Sequence, residues 1–252
     1  HSFRATFNKA FQSPNLSELY LFVLRTATNP FTGLKSYFAY HGNSSLKVER
    51  ITGYELGYKG VFGNSLFVTV DGYFNVLQDF ITDLAPGVHP MYPQPVILPG
   101  DSVLRAIWSY SNAGKVHEQG AEVAINFYLT DSWILDVNYA FFDFKVLNKG
   151  EKDILIPNAP KHKINTGITY RHVNHFEAGI SIKYVPTFDW AAGIFQGRIL
   201  AYTIINLAAS YHINQILQVG LNVTNLLDRR HYQIFGGSLI GRRAIVSVTA
   251  DF

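Results

Sequence analysis

Apolar side chains recur at every second position along nearly the whole chain, and a period of two restricts a sequence to β-structure before anything else is weighed. Near the C-terminus Ala244, Val246, Val248, Ala250 and Phe252 alternate with Arg243, Ile245, Ser247, Thr249 and Asp251, so one face is apolar and the other mostly polar. Trp133, Leu135, Val137, Tyr139 and Phe141 oppose Asp136, Asn138 and Ala140 in the same way. Phe176, Ala178, Ile180, Ile182 and Tyr184 oppose Glu177, Gly179, Ser181 and Lys183. Leu217, Val219, Leu221 and Val223 oppose Gln218, Gly220, Asn222 and Thr224. Each segment reads as a strand wetted on one side.

The pattern predicts ten strands, over 2–10, 52–62, 65–77, 106–129 (long, bent near Gly114 or Gly120), 132–145, 161–171, 175–186, 199–212, 216–225 and 242–252. Tight turns at 62–65, 130–132, 172–174 and 213–215 alternate with long connections at 11–51, 78–105, 146–160, 187–198 and 226–241. All ten prolines fall in long connections or at strand ends, as expected of a residue that cannot donate to a ladder. Short turns at one end and long loops at the other describe an outer-membrane barrel, with its polar face toward a lumen and its apolar face toward lipid. Tyr128, Trp133, Tyr170, Phe176, Tyr184, Trp190 and Tyr211 gather near strand ends, where a ring can be half buried with its polar tip wet. A soluble β-sandwich also alternates, but its outer face would carry many Lys and Glu. Here charged residues are only 15% of the chain, and the non-apolar face is largely Gly, Ser, Thr, Asn and Ala.

Composition removes other classes. A chain of 252 residues with 48% apolar content offsets its ordering entropy, which excludes disorder. No apolar run approaches the roughly 18 residues of a spanning helix. The net charge of +3 is weak and scattered, so nucleic acid is not expected as a partner. There is no cysteine, hence no disulfide and no thiolate metal site. No charged-then-apolar signal segment opens the chain, which begins at His1; the expectation is a mature or mid-chain start.

Several stretches resemble TonB-dependent outer-membrane receptors. Phe11-Gln12-Ser13-Pro14-Asn15-Leu16-Ser17-Glu18-Leu19-Tyr20 is similar to the family's F-R-x-P-x-L-x-E-L-Y. Gly42-Asn43-Ser44-Ser45-Leu46-Lys47-Val48-Glu49 and Tyr54-Glu55-Leu56-Gly57-Tyr58-Lys59 resemble its G-N-P-x-L-K-P-E and Y-E-L-G-Y-K, with Ser44 and Val48 in place of proline. Gly120-Ala121-Glu122-Val123 stands for G-V-E-L, and Asn225-Leu226-Leu227-Asp228, Gly241-Arg242-Arg243 and the terminal Phe252 for the C-terminal N-L-F-D, G-R and F. The matches keep the family's order from start to end. The resemblance implies an all-β, transmembrane antiparallel β-barrel of the 22-strand type, of which residues 1–252 are the C-terminal part, with plug domain and N-terminal strands absent. It implies a multi-pass protein of the bacterial outer membrane that imports a ferric siderophore, haem, cobalamin or similar metal chelate, energised through TonB. It is then not an enzyme and has no resident cofactor, the metal chelate being cargo. Implied partners are the TonB complex through the absent N-terminal part, the plug and remaining strands, the bilayer with its lipopolysaccharide, and the barrel-assembly machinery, for which Phe252 is the expected signal.

No catalytic motif emerges: there is no G-x-S-x-G, H-E-x-x-H or P-loop. His172 and His175 have ligand-like separation but flank a tight turn, which favours a solvated turn over a metal site. Asn43-Ser44-Ser45 and Asn222-Val223-Thr224 match a glycosylation sequon that means little in a bacterial outer membrane. The long loops carry the ligand-binding candidates: Tyr37, Tyr40 and His41 in the first, His89, Tyr92 and Arg105 in the second, Trp190 in a later one, and His231 and Tyr232 in the last. Such aromatic and cationic groups around a vestibule hold an anionic chelate or a porphyrin by stacking and charge, although ordinary loop packing uses the same residues. The family's haem receptors carry a histidine in the first of these loops, where His41 stands. Two other classes stay open: a complete ten-stranded protease-like barrel recruiting Asp79, Asp83, Asp101 and His89, and a non-transporting structural barrel of an envelope complex. The small residues Gly57, Gly167, Gly179, Ser181, Gly220 and Ser247 on the inward phase suit a wall around a large plug, so the chain is not expected to close on itself.

Overall fold

The computed structural model describes residues 1–147, 155–172, 175–192 and 195–250. Strand β1 (Ser2–Gln12) leads through one helical turn, α1 (Leu16–Tyr20), into β2 (Phe22–Thr28) and β3 (Lys35–His41). The hairpin β4 (Glu49–Phe62) and β5 (Leu66–Ile81) follows, then three short strands, β6 (Ala85–Pro86), β7 (Val96–Ile97) and β8 (Leu104–Ser109). Next come β9 (Asn112–Tyr128), β10 (Trp133–Val146), β11 (His162–Arg171) and β12 (Phe176–Val185). A small hairpin, β13 (Phe188–Ala192) and β14 (Phe195–Ile199), precedes β15 (Tyr202–His212), β16 (Leu217–Thr224) and β17 (Arg243–Ala250).

Ten of these strands form one sheet in the order β1-β4-β5-β9-β10-β11-β12-β15-β16-β17, antiparallel throughout, so each wall strand pairs with the wall strands before and after it in sequence. They are the ten that the alternation predicts, with ends shifted by a few residues. Two departures have physical causes. The segment 106–129 is not one bent strand: β8 ends at Ser109, β9 begins at Asn112, and β8 belongs to a second sheet with β2, β3 and β6. The break is at Tyr110 and Ser111 rather than at either glycine, and alternation runs through it because β8 is itself a one-sided strand. The long connections are also structured, since α1, the β2–β3 hairpin, β6–β8 and β13–β14 all lie within them.

The register fixes which residues share a face. Across the sheet Arg4 opposes Gly57, Gly57 opposes Asp71, Asp71 opposes Glu122, Glu122 opposes Ala140, and Ala140 opposes Lys163. This polar face is cross-linked: Arg4 bridges Glu55 and Asp71 (3.0 Å to the latter), and the Asn75 amide donates to Glu118 at 3.2 Å. Gly57 permits the Arg4 bridge, because a Cβ there would lie 2.4 Å from Asp71 Oδ1. The opposite face carries Phe7, Tyr54 and Phe74 in one row, and Leu221, Ala209 and Val246 in another. On it Phe3, Leu56 and Val246 are 82%, 70% and 70% exposed, an apolar exposure that belongs in lipid.

The sheet is open. Among the described residues β1 and β17 do not pair with each other, and every residue of both strands is exposed. The buried clusters lie at the long-loop end: Ala39 of β3 and Ile107 of β8 with Leu98, and Val185, Tyr202 and Ile204 at the ends of wall strands β12 and β15 with Ile199 of β14. Among the described residues no helix is long and apolar enough to cross a membrane. Phe252, the expected assembly signal, lies outside the described residues.

Candidate functional site: the long-loop rim

The first rim element starts with a capping box. Asn15 Oδ1 accepts from the Glu18 amide at 2.9 Å, while Glu18 Oε2 accepts from the Asn15 amide at 2.8 Å, which satisfies two orphan donors at the start of α1. The turn then anchors the return of β3, because the Asn43 amide donates to Glu18 O and the Gly42 amide to Leu21 O, each at 2.7 Å. Gly42 must be glycine here, since a Cβ would sit 2.4 Å from the Tyr20 nitrogen. Buried Asn43 donates to Tyr110 O at 2.9 Å and accepts from Ser45 N at 3.0 Å. Asn112 binds Lys47 N and O and Asp79 O at 2.8, 3.2 and 2.7 Å. The motif residues of this stretch therefore latch the rim to the wall.

Above that latch three of the nine loop candidates, His41, His89 and Tyr92, come together, while Tyr37 pairs with Arg105 and Tyr40 lies on the other face of β3 from His41. His41 and His89 stand edge to face with centroids 4.7 Å apart, Tyr92 stacks on His89 at 4.8 Å, and His41 meets Tyr92 at 5.6 Å. His89 Nδ1 accepts from the Met91 amide at 3.1 Å, so its proton is on Nε2, which donates to Gly42 O at 3.2 Å. His41 Nδ1 donates to the same carbonyl at 2.7 Å. Burial and the neighbouring His41 push the His89 pKa down, opposed by the Gly42 carbonyl, so His89 is a neutral packing residue. Arg105 is buried, chelates Asp101 through two nitrogens, and lies 5.6 Å from the Tyr37 ring. Burial would raise the Asp101 carboxyl, but the Arg105 guanidinium and the Val103 and Ser102 amides outweigh it and hold the pKa below its usual value. Tyr40 tilts against Trp108 at 6.2 Å. The groups left open are the Nε2 side of His41 and the half-buried rings of Tyr37, Tyr40 and Tyr92.

The remaining candidates sit farther along the rim. Trp190 packs on the cluster containing Tyr202, and the buried His231 ring lies 4.3 Å from Tyr202 with its Nδ1 donating to Arg229 O at 2.9 Å. Tyr232 is exposed, as are Arg229 and Arg230. Asn225 holds this loop: it is 1% exposed, adopts φ 58°, and exchanges hydrogen bonds of 3.0 Å with Arg229 O and N. Asp228 Oδ1 accepts from Arg242 N at 2.7 Å. Asn225→Ala leaves the Arg229 groups unmatched and forces alanine to a positive φ, so it is expected to destabilise the barrel by about 2–4 kcal/mol, read as a lower urea midpoint. Residue type marked Arg105, His89 and His231 as candidates, but only the fold shows the partners that engage them; Asp101 was considered as a protease carboxylate and not as the partner of Arg105, and Trp108 and Tyr202 went unnoticed because each acts through a neighbour.

The carboxylates considered for a protease do not assemble with a base. Asp101 is held by Arg105, Asp79 is 3.9 Å from Lys47 Nζ, and Asp83 Oδ1 accepts from the Leu84 amide at 2.8 Å. Among the described residues there is no group of three or more His, Asp or Glu able to hold a metal ion.

A family model described as "TonB dependent receptor-like, beta-barrel" matches residues 1–226. The chain is 22% identical over 169 residues to the probable TonB-dependent siderophore receptor PiuA of Acinetobacter baumannii, covering 57% of this chain and 22% of that protein. It is 26% identical over 213 residues to the vitamin B12 transporter BtuB of Photobacterium profundum, covering 82% and 32%. The solved structure of a ferric enterobactin receptor (PfeA) mutant from Pseudomonas aeruginosa superposes with a TM-score of 0.70 at 20% identity, over 99% of this chain and 38% of that one. The chain thus spans roughly a fifth to a third of the length of these curated relatives. With an open antiparallel wall, a lipid-suited outer face and a family match over most of its length, the chain belongs to the β-barrel of the TonB-dependent receptors of the outer membrane.

Proposed function

We propose that the chain is the C-terminal part of a receptor that takes up a metal chelate (a ferric siderophore, a cobalamin or a haem) and is energised through TonB, with the plug and the other wall strands supplied by segments beyond these 252 residues. Family membership supports transport of this kind, and the relatives named for siderophores and vitamin B12 bracket the cargo class. The observation that carries the reading is a long-loop rim with two packed aromatic groups, His41 with His89 and Tyr92, and Tyr37 beside Arg105, in which the Tyr37, Tyr40 and Tyr92 rings are only half buried. Rings fixed in this way stack on a conjugated or aromatic chelate with little ordering cost. The inner wall carries Glu55, Asp71, Glu118 and Glu122 against Arg4 in one zone, an acidic surplus that suits a plug presenting basic side chains.

The test is binding by the intact receptor of a panel of ferric siderophores, cyanocobalamin and haemin, followed by intrinsic fluorescence quenching. Tyr40→Ala combined with His41→Ala is expected to weaken the cognate member about tenfold, while the heat-modifiable gel shift stays unchanged. Undiminished affinity in that variant, or no binding by any member of the panel, would count against the proposal.

A further inference from the structure

The inner wall is divided by charge. From β1 to β9 it carries Glu55, Asp71, Glu118 and Glu122, with Arg4 bridging Glu55 and Asp71. On β11 and β12 the sign reverses: Lys163 stands inward opposite Ala140, and Lys183 inward opposite Asn165. Lys163 and Asn165 share a face of β11, so the two lysines are diagonal neighbours on one strand pair, about 7–8 Å apart at the backbone. Both are exposed. Among the described residues the lysines held in ion pairs are Lys47 and Lys161, not these two. Like charges so placed repel, and an anion seated between them relieves the repulsion.

Toward the short turns the wall below the lysines hollows out. One row there runs Gly167, Ser181, Asn206, and the next runs Thr169, Gly179, Ala208, Asn222. They line a cavity of about 530 Å³, large enough for a drug-sized ligand. It shares Asn138, Asn165, Ser181 and Asn206 with the cavity of about 740 Å³ that holds Lys163 and Lys183, so the two are continuous. Lys163 is eight residues from Arg171 at the turn end, roughly 20 Å along the barrel axis at about 3.3 Å per residue and about 40° of tilt. The last row before the turns, Ser210, Gly220 and Ser247, has no bulky side chain to close the way. Among the described residues no hydrogen bond engages the side-chain amides of Asn138, Asn165 or Asn222, which leaves them free for a guest.

The two flanks of the lumen therefore hold a plug unequally. Breaking a charge pair leaves a desolvated charge behind, whereas water replaces a neutral amide contact at little cost. A plug anchored at Glu55, Asp71, Glu118 and Glu122 parts first from the side of β11 to β16. Lysine suits the side that opens. A flexible point charge attracts an anion without fixing its geometry, and a transit site must release what it receives.

We propose that Lys163 and Lys183, with the amides of Asn165 and Asn222 below them, form a lumenal transit site for a chelate of net negative charge, which descends the β11–β16 hollow toward the short-turn end. Carboxylate, catecholate or hydroxamate oxygens of the chelate take charge-assisted hydrogen bonds from the ammonium groups and then neutral ones from the amides. The inference rests on the reading of the chain as a chelate receptor, and adds to it the charge of the cargo and the side of the lumen that opens.

The test measures uptake by the intact receptor in cells of radio-iron-loaded ferric siderophores of known charge and of labelled cyanocobalamin, with rim affinity followed separately by fluorescence quenching. Lys163→Gln with Lys183→Gln is expected to slow uptake of an anionic siderophore about fivefold at unchanged rim affinity. Lys59→Gln, diagonal to Asp71 on the acidic flank, is expected to transport like the parent. Ala208→Trp is expected to slow uptake about tenfold, and Thr69→Trp on the acidic flank to leave it unchanged. Should the lysine or the Ala208 variant lose its heat-modifiable shift, the other still decides. Parent-like uptake in a folded lysine or Ala208 variant would overturn the proposal. Equal slowing by Thr69→Trp would overturn it as well, by reducing the effect to crowding of the whole lumen. Faster proteolysis of the resting plug in the lysine variant would mark an anchor for an acidic plug segment and count against the transit site. A parent that takes up cyanocobalamin alone, which has no net charge, would sink this inference and leave the chelate reading standing; a parent that takes up no member of the panel would sink both.

Discussion

Refolded alone in detergent, these 252 residues are expected to aggregate, and to become monodisperse only when strands able to pair with β1 and β17 are supplied. Every interior wall strand has a neighbour on each side, whereas β1 and β17 have one each and are exposed along their whole length. In hydrocarbon each unpaired backbone N–H or C=O costs several kcal/mol, so two open edges outweigh any single packing term in the wall. Closing β1 onto β17 is the escape, and the inner face opposes it. Ten strands at about 4.8 Å give a narrow ring, which side chains normally fill. Here the inward face instead carries Gly57 beside the ion pairs anchored on Arg4, and Gly167, Gly179 and Gly220 on β11, β12 and β16, a surface shaped to meet something large. Size-exclusion chromatography and the heat-modifiable gel shift decide the matter. A monodisperse, heat-modifiable monomer of this chain alone would sink the idea.

The wall was legible because lipid on one side and water on the other impose a strict period of two. Strand β10 shows this well: Trp133, Leu135, Val137, Tyr139 and Phe141 can be assigned outward from sequence, and Asp136 and Asn138 do oppose Asn126 and Ala124 on the inner face. The same period misleads at Trp108-Ser109-Tyr110, where β8 leaves the wall for a small sheet with one buried face; alternation reports one-sided burial and not which sheet supplies it. Strands β6 and β7 are two residues long and held by non-local partners, so no window over the sequence could find them. The capping box at Asn15 and Glu18 was visible in the letters but was read as a family motif, although its hydrogen bonds are local chemistry.

At the rim, residue type located the candidates without telling binding groups from packing groups. Arg105 is unavailable to a ligand because Asp101, four residues earlier in a loop, has already taken it. His89 has both ring nitrogens in use, on Gly42 O and Met91 N, while His41 has one. Such distinctions depend on where a carbonyl or an amide arrives from a distant segment. Only the fold supplies that.

Leu221→Arg is expected to destabilise the folded barrel by about 2–4 kcal/mol, and Gly220→Arg, one residue away, by far less. Strand β16 has eight residues, and Leu221 sits in the middle of it opposite Ala209 and Val246, with Val219 beside it opposite Tyr211 and Val248. Neither Ala209 nor Val246 offers a polar group to a guanidinium, so an arginine at 221 must be desolvated near the bilayer midplane or distort the bilayer to reach water. Gly220 faces the other way, between Ser210 and Ser247. A Cβ at 220 would lie 2.6 Å from Ser247 Oγ, a contact that rotation of a hydroxyl relieves, and the rest of the side chain would enter the polar interior. Urea unfolding of the receptor in bilayers separates the two: the midpoint should fall for Leu221→Arg and for Val219→Arg, and hold nearly constant for Gly220→Arg. The contrast tests the assignment of faces itself, because a one-residue slip in register would exchange the phenotypes of positions 220 and 221. Equal midpoints for the two variants would mean that the face described as lipid-exposed is not.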